Sequence, residues 1–433
     1  MKRIIILVFL ALIANLALGQ DKPLDAKASD PKTMGWMTGF PPAPQNRLFA
    51  HDGSFFKSPA LRYSVVHMRE FMPTVNVARG QAEQTPFHYQ LDSRIDSLQF
   101  TVSGTSRTMT WNESLEENYT DGILILHKGD VVYERYFGEL SEEQVHAVMS
   151  LTKSFTGTLA AILVAEGVLD ENKPVAWYVP ELKSSAFGDA TVRQVMDMTT
   201  ALKYSENYAD PKAEVWDFTM AGNPLVKLIK PQGPIGFYEY LEKVEKQGDH
   251  GRVFGYKTVN ADALGWIIAR ATGRSVAQLL SDRIWRKLGM EQDAYYQVDV
   301  LGVPFAGGGF NAGLRDLARF GEMIRNDGMW QGQQIIPAAA VLDIKKGGDK
   351  KAFARSEYTK LKGWSYRNMW WMLHNRNNAF AARGVHGQTI YIDPVAEMVI
   401  VRLASHPVAG NAANDPFSLP AYEAVAMYLM QKK

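Results

Sequence analysis

Ser150-Leu151-Thr152-Lys153 is the stretch of this sequence that decides its fold, because it places a hydroxyl and an amine three residues apart at the start of a predicted helix. Small and apolar residues recur at helical spacing from 154 to 166 and stop at Gly167, which predicts a buried helix. Residues three apart on a helix share a face. A serine hydroxyl is a weak nucleophile until a base such as a desolvated lysine lies within hydrogen-bond reach. The pattern therefore indicates an activated serine nucleophile, with helix capping by the serine as the alternative.

Two later segments place polar residues beside predicted regular structure. Phe254-Gly255-Tyr256-Lys257-Thr258-Val259-Asn260 leads into an amphipathic stretch that ends at Gly273, which predicts a loop entering a helix. Ala382-Arg383-Gly384-Val385-His386-Gly387-Gln388 precedes two β-rich runs, 389–394 and 398–403, which predict paired strands around a turn.

These three segments, in this order and at this spacing, resemble the serine β-lactamase and penicillin-binding-protein superfamily over residues 115–430. Within its class C-like branch of β-lactamase-related serine hydrolases, the motifs are most similar to those of the 6-aminohexanoate-dimer (nylon oligomer) hydrolases. The resemblance implies an α/β (α+β) fold of the β-lactamase/transpeptidase type. In that fold an antiparallel sheet is flanked by helices, and a mainly helical lobe is inserted.

The resemblance also implies roles for individual residues. Ser150 matches the acylated nucleophile, and Lys153 matches the lysine that shares its proton. Tyr256 matches the tyrosine that passes the proton to the leaving group. The backbone amides of Ser150 and Val385 match the two donors that stabilise the tetrahedral oxyanion.

The sequence departs from penicillin-recognising enzymes at two motifs. Thr258 stands where lactamases of this branch carry asparagine, so a hydroxyl is kept and an amide is lost. Ala382-Arg383-Gly384 stands where those enzymes carry Lys-Thr-Gly, which leaves the usual site for a penicillin carboxylate incomplete. We expect Thr258, Arg383 and Gly384 to contact the substrate, with a solvated strand residue or a local ion pair as the alternative for Arg383.

A polar and aromatic loop follows the predicted helix at 191–199. It runs from Lys203 to Pro211 and should be exposed. In the nylon-oligomer hydrolases the matching loop folds over the substrate and contributes a tyrosine. We expect Tyr208 to make that contact, with Tyr204 as the second candidate and an ordinary exposed loop as the alternative.

Other conspicuous residues have structural interpretations. A lone histidine beside a turn, such as His386, is more often structural than catalytic. The glycine-rich run 307–313 lacks the Gly-Lys-Ser/Thr ending of a phosphate loop, so a tight turn lining the cleft is the better interpretation. We interpret the tryptophan cluster of Trp364, Trp370 and Trp371 as core and strand packing. The alternative is that one ring forms a wall of the substrate pocket. The nine histidines show no His-x-x-x-His spacing, so we expect neither a metal nor a cofactor.

The amino terminus predicts export. Lys2 and Arg3 precede an apolar run, and Ala17 and Gly19 fit a cleavage site before Gln20, so residues 1–19 are interpreted as a secretory signal peptide. With no cysteine the chain can form neither disulfides nor a lipid-modified cysteine anchor. The net charge of +1 indicates no bias toward nucleic acid or acidic membranes. We expect a periplasmic or secreted protein.

The predicted organisation has two parts after the signal peptide. Residues 20–115 are Pro-rich early and are interpreted as an extended leader that packs on the catalytic unit. Residues 116–433 form the serine hydrolase domain, with a helical lobe at about 166–289. The predicted function is hydrolysis of a small linear amide or ester. The alternatives are a β-lactamase, a D-Ala-D-Ala carboxypeptidase-type enzyme or a non-catalytic binding homologue.

Overall fold

The computed structural model describes residues 23–229 and 232–432. The predicted signal peptide at 1–19 lies outside the described residues. Within these ranges no helix has the length and apolar character needed to cross a membrane.

Fifteen strands are formed within the described residues. They are β1 Thr74–Val77, β2 Gln99–Thr101, β3 Thr108–Thr110, β4 Thr120–His127, β5 Asp130–Tyr136, β6 His146–Ala147, β7 Ala294–Gln297, β8 Phe310–Ala312, β9 Met329–Trp330, β10 Gln333–Gln334, β11 Ser365–Arg367, β12 Trp370–Met372, β13 Phe380–Gly384, β14 Gln388–Asp393 and β15 Met398–Ala404.

The α-helices in the same ranges are numbered in chain order. They are α1 Pro31–Met34, α2 Leu61–Ser64, α3 Trp111–Glu117, α4 Thr152–Ala165, α5 Val175–Tyr178, α6 Val192–Met196, α7 Glu214–Gly222, α8 Pro224–Ile229, α9 Gly236–Glu242, α10 Val259–Thr272, α11 Val276–Arg283, α12 Leu314–Arg325, α13 Ala338–Lys346, α14 Lys350–Ala354 and α15 Asp415–Met430. Short 3-10 helices include Met149–Leu151, Val385–Gly387 and Asn411–Ala413.

A seven-stranded antiparallel sheet forms the centre of the fold, in the order β11-β12-β13-β14-β15-β4-β5. Successive side chains of its strands point to opposite faces of the sheet and pack in two different hydrophobic clusters, as the two-residue period of a strand requires. Ile123 and Ile125 of β4 pack with the C-terminal helix α15, whereas Leu124 and Leu126 pack on the other face, where α12 lies. Helices therefore flank the sheet on both sides, as the sequence predicted.

The segment between the two halves of the sheet is helical. From Gly167 to Met290 the described residues form α5 to α11 and contain no strand of two or more residues. Its helix α10 packs on α4, and Tyr256 in the loop before α10 lies against Tyr366 of β11 and Trp371 of β12. The predicted helical insertion is confirmed.

Residues 23–115 share the core of the rest of the chain. Strand β1 pairs with β7 in a second, four-stranded sheet of order β1-β7-β8-β6. Leu61, Val65 and Met68 are buried in the same cluster as α4. The N-terminal segment therefore contributes a strand and apolar contacts to the body of the molecule.

Candidate active site

Ser150 lies in the tight turn that leads into α4. The 3-10 helix Met149–Leu151 contains it, and α4 begins at Thr152. Met149 has a φ of 49°, in the left-handed region, which is uncommon for a residue with a side chain. The Thr152 hydroxyl donates to the Met149 carbonyl at 2.5 Å and holds this conformation. The Ser150 side chain is 8% exposed and faces Lys153 rather than capping the helix.

Lys153 is the hydrogen-bonding partner of the Ser150 hydroxyl. Its Nζ lies 2.8 Å from Ser150 Oγ and donates to the Gly307 carbonyl at 2.6 Å. The side chain is fully buried. Burial lowers the pKa of Lys153 below its ordinary value of 10.5, while the nearby charges of Glu206 and Asp262 act in the opposite direction. A lysine with a lowered pKa has a larger neutral fraction that can accept the serine proton.

The Tyr256 ring lies beside the Lys153 amine. Lys153 Nζ lies 5.0 Å from the centre of the Tyr256 ring. Burial, followed by the Glu206 charge, raises the pKa of Tyr256 well above 10.0, and hydrogen bonding with Ser150 lowers it. The phenol therefore stays protonated near neutral pH. The structure thus brings Ser150, Lys153 and Tyr256 together from a turn, a helix and a loop.

Asp262 is a buried acid that the sequence analysis missed. It lies on α10, and its Oδ1 accepts a 3.3 Å hydrogen bond from the Gly307 amide. The carbonyl of the same residue accepts a hydrogen bond from Lys153 Nζ, so Gly307 links the two side chains through its amide and its carbonyl. Burial raises the pKa of Asp262. A side chain at Gly307 would lie 2.6 Å from Asp262 Oδ2, which explains the glycine in this turn.

Glu206 is the second functional candidate that the sequence analysis missed. Its carboxylate accepts hydrogen bonds from the Thr258 amide at 2.5 Å, the Thr258 hydroxyl at 2.6 Å and the Tyr208 hydroxyl at 2.7 Å. Within the described residues no lysine or arginine nitrogen lies within 4.0 Å of it. Its negative charge is therefore directed at the site, where it acts on the pKa values of Lys153 and Tyr256.

The loop that carries Glu206 is only partly exposed. Tyr208 is half-buried, and its ring meets that of Trp216 at 5.9 Å. Tyr204 is buried at 6% exposure, and its hydroxyl has no hydrogen-bond partner among the residues described. The hydroxyls of Tyr208 and Thr258 both face Glu206, so these two predicted substrate contacts belong to one hydrogen-bonded cluster.

Strand β13 ends directly against the nucleophile turn. A side chain at Gly384 would lie 2.6 Å from the Val148 carbonyl and 3.0 Å from the Leu151 amide. This close approach requires glycine and brings Val385, the predicted second oxyanion donor, beside the turn that carries Ser150. The sequence analysis predicted Gly384 as a substrate contact. In the structure, Gly384 allows the end of β13 to approach the turn that carries Ser150.

Arg383 and His386 are both held by other parts of the chain. Arg383 is buried, ion-paired with Asp415 and stacked on Trp364 and Trp371 at 5.4 and 5.3 Å. This is the local ion pair that the sequence analysis gave as the alternative to substrate binding.

His386 is buried with its Nδ1 2.7 Å from the His406 carbonyl. Burial lowers the pKa of His386 to about 4, so the ring is neutral at neutral pH. Of the three tryptophans singled out from the sequence, Trp371 comes nearest the site, because it stacks on Tyr256 at 5.4 Å.

A sequence signal existed for both missed residues. Asp262 is the one charged residue in the mainly apolar run 259–268 of the sequence, and an acid in such a run needs a compensating partner when the run is buried. Glu206 lies two residues before Tyr208, in a loop already singled out for its polar character.

The fold and this arrangement of serine, lysine and tyrosine define the class of protein. The chain belongs to the β-lactamase family, whose model matches residues 113–420. It is a hydrolase of the β-lactamase fold, related to 6-aminohexanoate-dimer hydrolase.

Three individual proteins show how similar this chain is to known members of the fold. The 6-aminohexanoate-dimer hydrolase of Paenarthrobacter ureafaciens is 33% identical over 355 residues, which are 82% of this chain and 88% of that protein. A solved Bacillus anthracis protein, provisionally named a 6-aminohexanoate-dimer hydrolase, has a TM-score of 0.78 and 34% identity over 90% of this chain and 98% of its own. EstCE1, a hydrolase with promiscuous acyltransferase activity, has a TM-score of 0.56 and 16% identity over 73% of this chain and 96% of its own, which shows the fold alone.

Proposed function

We propose that this protein is an exported serine hydrolase that cleaves a small linear amide or ester through an acyl-enzyme on Ser150. The observation that carries the proposal is the 2.8 Å contact between Lys153 Nζ and Ser150 Oγ in a buried site. A neutral lysine at this distance is within reach of the serine proton. The family membership and the relative at 33% identity support the same reaction class.

In acylation, neutral Lys153 takes the proton from Ser150 while Oγ bonds to the carbonyl carbon of the substrate. The negative charge moves to the carbonyl oxygen, where the amides of Ser150 and Val385 are the proposed donors. Tyr256 gives its phenolic proton to the leaving nitrogen or oxygen as the bond to the carbonyl carbon breaks. Lys153 returns a proton to Tyr256, and the acyl group remains on Ser150.

In deacylation, a water molecule attacks the acyl carbonyl and transfers its proton through the same residues. The ester bond to Ser150 breaks, Oγ recovers a proton, and the carboxylic acid product leaves. The raised pKa of Tyr256 suits a group that must hold a proton until the leaving group forms.

The contacts that Arg383 already makes within the protein favour a small linear substrate over a penicillin. Its guanidinium is paired with Asp415 and stacked between two tryptophans, so binding a lactam carboxylate would require it to give up these contacts. Lysine and threonine of the usual carboxylate site are absent from 382–384. The 33% identical relative is named for an amide dimer, which supports a linear amide here.

Export belongs to the proposal and rests on the sequence of residues 1–19. A basic start, an apolar run and small residues before Gln20 are the pattern of a cleaved signal peptide. Expression of the full chain in a bacterium, followed by N-terminal sequencing of the periplasmic fraction, tests it. A mature terminus near Gln20 supports export, and full-length protein retained in the cytoplasm contradicts it.

Replacing the nucleophile tests the reaction class. Ser150→Ala should lower turnover by about four to six orders of magnitude and abolish labelling by a fluorophosphonate probe, because the attacking oxygen is removed. Ser154→Ala is the matched control. Its hydroxyl donates to the Met369 carbonyl at 2.7 Å, so that change should lower stability while labelling persists. Labelling of a folded Ser150→Ala protein would exclude the assignment, and an unlabelled native protein would favour the non-catalytic homologue.

Comparing substrates tests the specificity. We expect kcat/KM for p-nitrophenyl butyrate and 6-aminohexanoate dimer to exceed that for a chromogenic cephalosporin by about one to two decades for each missing charge-assisted contact. A D-Ala-D-Ala peptide on the same preparation examines the carboxypeptidase alternative. Cephalosporin hydrolysis equal to or above that of both linear substrates would overturn this part of the proposal and leave the role of Ser150 standing.

A further inference from the structure

A small polar cavity lies behind the strand that leads to the oxyanion segment. Its volume is about 10 Å³, which is room for about one particle of the size of a water molecule. Its lining includes Arg383 of β13, Arg402 of β15, and Asn414 and Asp415 at the start of α15. Ser150, Lys153 and Tyr256 do not line it, so it is separate from the catalytic cluster.

Arg402 is the unusual residue of this cavity. It is 3% exposed, and its Nε donates to the Gly387 carbonyl at 3.1 Å. Within the described residues no carboxylate oxygen lies within 4.0 Å of its guanidinium. Burying a charge without a partner is costly, and buried charges in proteins are normally paired.

The charges around the cavity do not balance. Arg383 and Asp415 form an ion pair and cancel, which leaves Arg402 with the face of the Tyr422 ring at 5.9 Å but with no carboxylate partner among the described residues. The lining therefore carries two guanidinium groups and one carboxylate, a net charge of one positive unit. A water molecule could fill the volume but could not neutralise this charge.

Unpartnered polar atoms surround the same space. The Nδ2 and Oδ1 atoms of Asn414 and the Oδ1 atom of Asn411 are buried without a hydrogen-bond partner in the described chain. Arg402 Nη2 and Asn414 Oδ1 lie 3.1 and 3.4 Å from the position that a side chain on Gly387 would occupy, so the two side chains are neighbours. Buried amides are normally hydrogen-bonded, and Asn414 Nδ2 is a donor without an acceptor, which is the partner that an anion would supply.

The start of α15 adds to the positive potential. This helix runs for 16 residues from Asp415, and Asn414 at its N-cap makes no side-chain capping bond. The N-terminus of such a helix carries a partial positive charge and favours anions. The helix end and the Arg402 guanidinium therefore act on the cavity with the same sign.

We propose that this cavity binds one small monovalent anion, chloride in the first instance, held by Arg402 and the Asn414 amide. The small volume favours a single-atom anion over phosphate and organic carboxylates, and the net positive lining favours one negative charge. Because Arg402 also holds the Gly387 carbonyl, the anion stabilises the segment Val385–Gly387, which carries the proposed second oxyanion donor. The inference is independent of the substrate and stands whether or not the enzyme cleaves linear amides.

The test is thermal unfolding of mature protein that has been dialysed against sodium gluconate. Chloride or bromide then replaces gluconate at constant ionic strength. We expect a saturable rise in Tm with either halide, as a ligand that binds the native state produces. A flat response, or a rise that never saturates and is equal in all variants, would overturn the proposal.

Two variants and one direct measurement complete the test. Arg402→Met removes the charge and keeps an unbranched, largely apolar side chain, so the halide response should disappear. Arg376→Met is the matched control, because Arg376 is more than half exposed on the surface, and its response should equal that of the native protein. Anomalous diffraction from crystals of native protein grown in bromide decides the matter even if Arg402→Met does not fold. A bromide peak beside Arg402 supports the site, and its absence contradicts it.

Discussion

At the scale of single residues, the reactivity of the site depends on the balance of charges around Lys153. Burial favours the neutral amine, whereas Glu206 and Asp262 favour the ammonium. Neither acid lies near Lys153 in the sequence, since one is on the loop before α7 and the other on α10. The protonation state of the base is therefore a property of three separate elements.

The pH dependence of acylation should report this balance. Activity requires neutral Lys153, so kcat/KM should rise with pH and level off above a midpoint that lies below 10.5, because burial lowers this pKa. Glu206→Gln removes a charge that raises the pKa of Lys153, so the midpoint should move to lower pH. The midpoint is measured from steady-state kcat/KM values for a neutral ester across a range of pH.

Glu245→Gln is the control for this shift, because Glu245 forms an exposed ion pair with Lys203. Its profile should match that of the native enzyme. A midpoint that is unchanged or higher in Glu206→Gln would contradict the proposed electrostatic role of Glu206.

The proposed proton transfer makes a second prediction at this scale. Lys153→Ala and Tyr256→Phe should each lower the acylation rate strongly, because the proton of Ser150 loses part of its path to the leaving group. Residues that act as one unit have non-additive effects, so the double variant should be little worse than the poorer single variant. Single-turnover acylation rates on one ester are measured for the two single variants and the double variant. A double variant that loses the product of the two single effects would mean that the residues act independently.

At the scale of elements, α4 is placed by a close contact with the turn between β11 and β12. A side chain at Gly157 would lie 2.0 Å from the Asn368 carbonyl and 2.9 Å from Met369 Cβ. On the same helix, the Ser154 hydroxyl donates to the Met369 carbonyl. The helix that begins beside Ser150 is therefore held against the sheet through a residue without a side chain.

Gly157→Ala should consequently destabilise the protein despite the helix preference of alanine. Overpacking of this kind typically costs about 1 to 3 kcal/mol in the free energy of unfolding. Gly410→Ala is the matched control, since nothing lies within 4 Å of that position and its φ is −67°. Chemical denaturation of the three proteins measures the difference. Equal stability of Gly157→Ala and the native protein would show that α4 can shift away from the turn.

At the scale of the whole molecule, the N-terminal segment is joined to the sheet by a buried polar network. Arg62 lies 3.4 Å from Asp121 of β4 and donates to the Ser405 hydroxyl at 3.2 Å. Asp121 is in turn 3.2 Å from His146. Since the three charged or titratable side chains are all nearly inaccessible to solvent, the segment is coupled to the region that supports the nucleophile turn.

Arg62→Met should therefore lower the free energy of unfolding by about 3 to 5 kcal/mol, because it leaves a buried carboxylate without its cation. Arg107→Met removes an exposed ion pair with Glu117 and should cost about 1 kcal/mol or less. Denaturation curves compare the two. If both changes cost the same small amount, the network contributes little and the segment is held by its apolar contacts.

The sequence by itself determined the fold class, the family and the three residues of the candidate catalytic cluster. It could do so because three local motifs, around Ser150, Tyr256 and Val385, resemble in order and spacing those of a known family, and the resemblance implies the fold and the residue roles. The hairpin from β4 to β5 and the helix ends at Gly167 and Gly273 follow from local rules.

Only the tertiary structure decided how charge is distributed around those residues. Glu206, Asp262 and Gly307 act on Lys153 across distances in sequence of more than fifty residues, and no local pattern records such proximity. The pairing of Arg383 with Asp415 and the surroundings of Arg402 likewise depend on where α15 meets the sheet. Local periodicity specifies elements, whereas electrostatic energies depend on distances and burial that arise only when the elements pack.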